Sequence, residues 1–204
     1  AFDVMGDIIL STAAQQYGGF TVPEVDKILA PYAKKSYDKY ISEFMKYSDE
    51  SWKGREEKAI EYALDKVRRE YDQGWQGIEY KLNTVGSSRG DYPFVTVTLG
   101  LGTEQFEKMC TISLLKVHQG GQGKAGHKKP VLFPKIVFLY DKEIHGPGKC
   151  CEDIFEAGVE CSSKTMYPDW LSMSGAGYIS SMYKKYKKVI SPMGCRAFFS
   201  PWYE

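Results

Sequence analysis

A nearly continuous apolar run over residues 131–140 limits the possible folds of this chain more than any other feature. A strand that is apolar on both faces is typical of a parallel sheet covered by other layers of structure. A second run, residues 94–99, alternates valine or leucine with Thr96 and Thr98, which predicts a strand with two unlike faces. Because helical patterns alternate with these strands, the sequence predicts an α/β fold with parallel neighbouring strands. Pro134 lies inside the first run and predicts an edge strand or a bulge.

The first 75 residues are predicted to be mainly helical. Apolar residues follow helical spacing over residues 2–17, in a stripe that is wider than one helix face. Such a helix must be covered on more than one side. A partner subunit could cover it, and so could neighbouring helices of the same domain.

Two further helices are predicted before residue 75. Thr21 followed by Pro23 has the order of a cap residue and a first-turn proline, and Pro31 then predicts a kink or a restart. The last of these helices is predicted between Gly54 and Gly74, with a charged face directed to solvent.

The composition changes after Gly74, which predicts two regions. Residues 1–75 form the helical region, and residues 76–204 form the α/β region with both apolar strands. Within the second region, Thr103 is predicted to cap a helix, and another helix is predicted over residues 152–164.

The charge balance bears on which partners the chain can have. It carries 27 basic and 26 acidic residues, a formal net charge of +1, whereas nucleic-acid and acidic-membrane binders usually have a clear basic excess. No apolar run reaches membrane-spanning length, and Asp3 and Asp7 interrupt any signal peptide. We therefore expect a soluble, cytoplasmic protein that binds neither nucleic acid nor membrane.

The cysteines do not have the spacing of a disulfide framework. There are five, an odd number, and most lie in apolar or loop-tip settings, so reduced thiols are expected. The chain starts without methionine and ends just after a strand-like run, which suggests a piece of a longer protein.

Three patterns resemble known sites but lack the required context. Residues 121–126 match G-x-G-x-x-G, yet a helix precedes them and a strand follows, so a helix-to-strand connection is expected. The basic run 184–188 is expected to be a solvated helix face. The residues that could suggest zinc are His145, Cys150, Cys151 and Cys161. They lack the usual C-x-x-C pairing, so no metal site is predicted.

The residue order of segment 191–199 suits chemistry better than packing. Cys195 lies at the predicted tip of a buried loop, after Pro192, which stiffens the approach, and Gly194, which leaves room beside the sulfur. Arg196 adds a planar cation suited to an anionic or oxygen-rich partner. The segment could therefore hold a reactive cysteine, but composition alone favours a small buried apolar residue at this position.

A polar loop precedes the first strand of the α/β region. Residues 83–90 include Asn83, Ser88 and Arg89, whose amide, hydroxyl and guanidinium groups could hold a nucleotide. An ordinary loop is the alternative.

The cysteine segment resembles a known family. Residues 192–198, PMGCRAF, with Trp202 shortly after, resemble the active-site cysteine loop of anaerobic (class III) ribonucleotide reductases, which are glycyl-radical enzymes. Other segments resemble the same family in the same order: residues 16–19, 29–32, 132–138 and 166–169. The resemblance spans nearly the whole chain.

This resemblance implies a fold and a chemistry. The α/β region would be part of a ten-stranded α/β barrel with the cysteine loop in its centre. Cys195 would become a thiyl radical that takes the 3′-hydrogen of a ribonucleotide and returns it after the 2′-hydroxyl leaves as water. Asn83, Ser88, Arg89 and Arg196 would bind substrate.

The resemblance also implies cofactors and partners. The expected partners are a ribonucleoside triphosphate substrate, a deoxynucleotide effector, a second copy of the chain and a radical-activating enzyme. Family members carry a glycyl radical, installed by an iron–sulfur, S-adenosylmethionine-dependent activase, and a zinc site. Both would lie outside these residues, so no cofactor is expected within the chain and turnover is not expected from it alone. The reductant stays open between formate and a dithiol protein.

Two other functions remain as alternatives. The chain could belong to another glycyl-radical or thiol-dependent enzyme, which would not need a nucleotide. It could instead be a non-catalytic module for dimerisation or deoxynucleotide binding, for which loss of Cys195 would have no effect.

Overall fold

The computed structural model of the chain describes residues 1–16, 18–86, 90–193 and 198. Over these residues the chain forms helices and strands that alternate after the first helix. In chain order they are α1 (Phe2–Gln15), β1 (Phe20–Val22), α2 (Val25–Tyr47), α3 (Arg55–Thr84), β2 (Val95–Leu99), α4 (Gln105–Gly120), β3 (Lys135–Tyr140), α5 (Lys142–His145), α6 (Glu152–Thr165), β4 (Asp169–Ser172) and α7 (Tyr178–Tyr186).

The four strands form one parallel sheet in the order β1-β2-β3-β4. Parallel neighbours need long crossover connections, and here helices supply them: α2 and α3 before β2, α4 before β3, and α5 and α6 before β4. The predicted α/β fold with parallel neighbouring strands is therefore confirmed.

The helices pack on one face of the sheet, which we call the helix face. Alternate residues of β2 and β3, including Val97 and Phe138, point into one core with side chains of α2, α3, α4 and α6. Trp75 of α3 and Leu114 of α4 are fully buried in this core. This burial of apolar area is the main force that holds the helices to the sheet.

The opposite face of the sheet, which we call the loop face, is covered differently. It carries the alternate strand residues, Thr21, Thr96, Thr98, Val137 and Leu139. Val137 and Leu139 form a smaller apolar core with side chains of α7 and of the segment that follows α7. The described segment from α7 to residue 193 thus returns across the side of the sheet that lacks the large helices.

Two predictions about the strands were wrong, one at the start of β3 and one at β1. Pro134 does not lie in an edge strand, because β3 begins one residue later and lies between β2 and β4, so the ladder does not need the missing N–H of Pro134. Thr21 does not cap a helix: it lies in β1, and α2 begins only at Val25.

Other errors concern the helices. α2 does not restart at Pro31 but continues through it, and the flanking residues Leu29 and Ala33 are both buried in the core, which offsets the proline's lost hydrogen bond. The kink that was the other predicted outcome at Pro31 stays a prediction. Gly74 does not end α3. The cap of α4 is Glu104 rather than Thr103, with Glu107 completing a capping box.

The predicted division between residues 75 and 76 stays a prediction. α3 runs through this position, and β1 from the first region pairs with β2 from the second. Within the described ranges, every helix is too short or too polar to cross a membrane.

α1 docks on α3 through a close approach at Gly74. The ring of Phe2 makes edge contacts with Tyr71 and Trp75, and a Cβ at position 74 would lie 2.3 Å from ring atoms of Phe2. Three residues further along α3, a Cβ at Gly77 would meet no described atom within 4 Å. The packing of α1 on α3 therefore requires a glycine at position 74 but not at position 77.

These two glycines give a matched pair of variants. Gly77→Ala should stabilise the fold by about 0.5–1 kcal/mol, because alanine forms helix more readily. Gly74→Ala should be less stable than Gly77→Ala by about 1–3 kcal/mol, because the added methyl group displaces Phe2. Urea unfolding measures both, and equal stabilities would contradict the docking of α1.

Candidate functional site

The segment that leads to Cys195 is hydrogen bonded to the loop face of the sheet. The Thr21 hydroxyl of β1 donates to the carbonyl oxygen of Pro192 at 2.6 Å. The hydroxyls of Thr98 in β2 and Ser191 lie 3.2 Å apart. The chain entering the predicted cysteine loop is therefore fixed at two adjacent strands.

Thr98 of β2 is also hydrogen bonded to the chain just after β1. Thr98 Oγ1 accepts a hydrogen bond of 2.9 Å from the backbone N–H of Glu24. Glu24 has a left-handed backbone conformation, φ 46°, which non-glycine residues adopt rarely and which is often found at functional sites. One hydroxyl thus joins the end of β1, β2 and the segment before the cysteine loop.

The loop face also contains a buried hydroxyl. Among the residues that the structure describes, Thr96 Oγ1 has no hydrogen-bond partner, although a buried hydroxyl normally finds one. Thr96 pairs in register with Thr21, so this hydroxyl is next to the strand residue that binds Pro192.

Of the predicted site residues, Asn83 lies within the described ranges. Cys195, Arg196, Ser88 and Arg89 lie outside the described residues. Their predicted roles stay predictions, and the described part of the site consists of the segments that lead to them.

Asn83 is described, and backbone groups use its side-chain amide. Its nitrogen donates to the carbonyl oxygens of Glu79 and Phe133, at 2.7 and 2.6 Å. Its oxygen accepts from the N–H groups of Leu132 and Phe133, at 2.9 and 3.2 Å. Asn83 therefore joins the end of α3 to the segment before β3. Its predicted contact with substrate stays a prediction.

A buried carboxylate organises the carboxyl end of β2, the edge where parallel α/β sheets usually bind ligands. Asp26 is fully buried, and its Oδ2 accepts from the N–H groups of Gly100 and Gly102, at 2.9 and 3.2 Å. Its Oδ1 accepts from the N–H of Lys27 at 3.0 Å. Burial raises the pKa of Asp26 above its ordinary value, against the effect of these N–H donors.

His145 holds the same loop from the other side. Its Nε2 lies 2.8 Å from the carbonyl oxygen of Gly100, and its Nδ1 accepts from the N–H of Asp141 at 2.9 Å. A neutral ring protonated at Nε2 satisfies both groups. Burial lowers the pKa of His145, which favours this neutral form. Asp26 and His145 together fix the backbone between β2 and α4.

The other patterns have structural roles in the described ranges. Residues 121–126 connect α4 to β3, as predicted. In residues 1–16, 18–86 and 90–193, no group of three or more histidine, cysteine, aspartate or glutamate side chains could hold a metal ion. His145 instead bonds backbone groups, while the sulfurs of Cys150 and Cys151 lie 3.7 Å apart.

Sequence reasoning missed the residues that anchor the segment. Thr21 was assigned to a helix cap, and Ser191 was not distinguished from its neighbours. A signal did exist in β2, where Thr96 and Thr98 alternate with valine and predict a polar face. That face is the one on which the segment lies.

Fold and site define an α/β protein in which the segment leading to a cysteine is fixed to the loop face of a parallel sheet. A family model described as anaerobic ribonucleoside-triphosphate reductase matches residues 1–204. The chain belongs to this family.

Individual relatives agree with the family match. The chain is 36% identical over 203 residues to the anaerobic ribonucleoside-triphosphate reductase of Enterobacteria phage T4, which covers 98% of this chain and 31% of that protein. It is 34% identical over 200 residues to the Escherichia coli protein of the same name, covering 98% of this chain and 26% of that protein. The chain thus spans less than a third of the length of these relatives.

The buried carboxylate predicts a particular pH dependence. Because the pKa of Asp26 is raised in the folded state, the folded chain binds more protons than the unfolded chain above the ordinary pKa of 3.8. The free energy of unfolding should therefore fall as pH rises from there through the folded-state pKa. Asp26→Asn cannot ionise and should lack this fall, although it places an amide near the N–H of Lys27.

Urea unfolding between about pH 3 and pH 8 measures the effect. Asp3→Asn is the matched control, because the Asp3 side chain is 96% exposed, and it should keep the wild-type slope. The same slope in Asp26→Asn and wild type would contradict the assignment.

Proposed function

We propose that this chain is part of an enzyme that reduces ribonucleoside triphosphates to deoxyribonucleotides by radical chemistry, with Cys195 as the hydrogen-abstracting residue. The observation that carries the proposal is the fixation of the segment before Cys195 to the loop face through Thr21 and Thr98. Family membership over residues 1–204 supports the same chemistry.

The proposed architecture is a ten-stranded α/β barrel of which these strands form a part. A barrel with outer helices requires parallel strands in sequential order, with its large helices on the outer face. The order β1-β2-β3-β4 and the packing of α2, α3, α4 and α6 on the helix face support this architecture, and the short helix α7 lies on the loop face. The loop face would then be the barrel interior, and the cysteine loop would lie inside it.

The reaction calls for a sulfur radical rather than an acid or a base. A ribose C–H bond is too weakly acidic for removal as a proton at neutral pH, whereas S–H and sugar C–H bonds are close in strength. Cys195 would take the 3′-hydrogen atom, the 2′-hydroxyl would leave as water, and the hydrogen atom would return to C3′. A reductant, formate or a dithiol protein, would supply the two electrons of the net reduction.

The radical itself would come from elsewhere in the complete protein. A glycyl radical, installed by an iron–sulfur activating enzyme, supplies the unpaired electron that this chemistry needs. The zinc site of the family would likewise be held by residues outside this chain. The role of the described residues is to position the cysteine loop, because hydrogen transfer requires contact geometry.

Substrate and effector are proposed to bind on either side of this scaffold. Arg196, Ser88 and Arg89 would bind the nucleotide substrate through donors suited to phosphate. Asn83 is proposed to contribute from the end of α3, where its amide nitrogen is also bonded to two backbone carbonyl oxygens. A deoxynucleotide effector would bind at the helical region, residues 1–75.

A homodimer contact is proposed on α1. Val4 and Ile8 are 63% and 59% exposed, whereas Ile9 on the same helix is buried. Apolar side chains exposed on a helix that is already docked on its other side are typical of an interaction surface.

The complete protein, activated without oxygen, tests the role of Cys195. Cys195→Ser should store the glycyl radical normally in electron spin resonance but form no deoxynucleotide, a loss of several orders of magnitude. Cys150→Ser is the matched control, because Cys150 is exposed, and it should keep wild-type turnover.

Two outcomes would contradict the proposed role of Cys195. If Cys195→Ser reduces ribonucleotides at a rate similar to wild type, the cysteine is structural and the proposed function is wrong. If wild type and Cys195→Ser both bind deoxynucleotide but neither forms a deoxynucleotide product, the alternative of a non-catalytic binding module is favoured.

A further inference from the structure

Cys150 and Cys151 form a pair of thiols at the start of α6, apart from the proposed active site. Their sulfurs lie 3.7 Å apart, close to van der Waals contact. Cys150 is exposed, whereas Cys151 is buried, as are Cys110 and Cys161. Of these four thiols, the pair therefore combines direct contact between sulfurs with access to solvent.

The surroundings of the pair give the two thiols different roles. Lys108 Nζ donates to the carbonyl oxygen of Cys150 at 2.7 Å and lies 2.8 Å from Asp153 Oδ1. Cys151 is the N-cap of α6, so the pair lies at the positive end of the helix dipole. Because Cys150 is exposed, its sulfur can meet an oxidant from solution, whereas the sulfur of Cys151 is buried. Burial, followed by the contact with Cys150, raises the pKa of Cys151 to about 12, so Cys151 itself reacts poorly with a peroxide.

We propose that Cys150 and Cys151 are a reversible oxidation site, which a peroxide converts into a disulfide between adjacent residues. The Cys150 thiolate attacks a peroxide oxygen, the O–O bond breaks, and a sulfenic acid and one water are formed. Cys151 Sγ then attacks the Cys150 sulfur, the S–O bond breaks, and its proton leaves with the oxygen as a second water. The two thiols lose two electrons and two protons, and hydrogen peroxide is reduced to two waters.

This disulfide would be easy to reduce. The Cα atoms of adjacent residues are about 3.8 Å apart, below the range of about 4.4–6.8 Å that ordinary disulfides span. Strain of this kind raises the reduction potential, and strained, exposed disulfides are the labile ones. A thiol such as glutathione should therefore restore the pair.

Oxidation would also reach the carboxyl end of β2. Cys151 Sγ donates toward the carbonyl oxygen of Gly102 at 3.7 Å, and the N–H of the same Gly102 binds Asp26. Disulfide formation removes the thiol hydrogen and draws the sulfur toward Cys150. The loop between β2 and α4 then loses one of its contacts.

Mass spectrometry of the complete protein tests the site without any need for activity. The reduced protein is treated with equimolar hydrogen peroxide, free thiols are blocked, and the product is cleaved after Lys149 and after Glu152. The piece Cys150-Cys151-Glu152 separates the pair from Cys161. The mass of this piece should be lower by two hydrogen atoms than that of its reduced, unblocked form, and it should carry no blocking group. Treatment with glutathione should restore the reduced form.

Variants assign the two steps. In Cys151→Ser, the sulfenic acid at Cys150 cannot be resolved, so its adduct with dimedone should exceed that of wild type on the order of ten-fold. Cys110→Ser is the control and should behave as wild type. A Cys150-Cys151-Glu152 piece that keeps its full mass, or oxidation that ends at sulfinic acid or begins at Cys110 or Cys161, would overturn the proposal.

Discussion

Two threonine hydroxyls on the loop face of the sheet determine the path of the segment that leads to Cys195. Thr21 and Thr98 come from adjacent parallel strands, and they bind Pro192 and Ser191. Each hydrogen bond contributes only about 1 kcal/mol, but a buried hydroxyl left unpaired costs more than that. The contacts therefore select one path for the segment before Cys195 more than they stabilise the fold.

This path depends on the asymmetry of the sheet. Apolar residues of β2 and β3 hold the large helices on the helix face, so the loop face stays free for α7 and the returning segment. Asp26 and His145 fix the carboxyl end of β2, through Gly100 and Gly102, at the edge of the same strand. The strand, the edge loop and the segment before Cys195 are thus positioned as one unit, which the proposed radical transfer over contact distance would require.

Local patterns made part of this arrangement predictable from the sequence. The α/β class follows from the two apolar runs, and β2 was predicted to within one residue because its alternation is local. β1 was missed because three residues carry little pattern, and Thr21 with Pro23 resembles a helix start. The predicted restart at Pro31 was wrong because this proline was judged from its own preference, whereas packing of its neighbours decides whether α2 continues.

The candidate site was less predictable for a physical reason. Cys195 stood out through the order of its neighbours, but Thr21 and Pro192 are separated by 171 residues, and no local pattern records such a contact. Asp26 was likewise an ordinary acidic residue until the fold buried it against two glycine amides. Residues that act by fixing a backbone are visible only when the backbone is known.

The most direct test of the central claim is the turnover of Thr21 variants in the complete, radical-activated protein. Thr21→Val keeps the shape but loses the donor to Pro192, so the account predicts a normal glycyl-radical signal and deoxynucleotide formation reduced on the order of ten-fold or more, mainly in kcat. Thr21→Ser keeps the hydroxyl and should retain most of the activity. Equal turnover in wild type, Thr21→Ser and Thr21→Val would show that this contact does not position the cysteine loop, and would contradict the account.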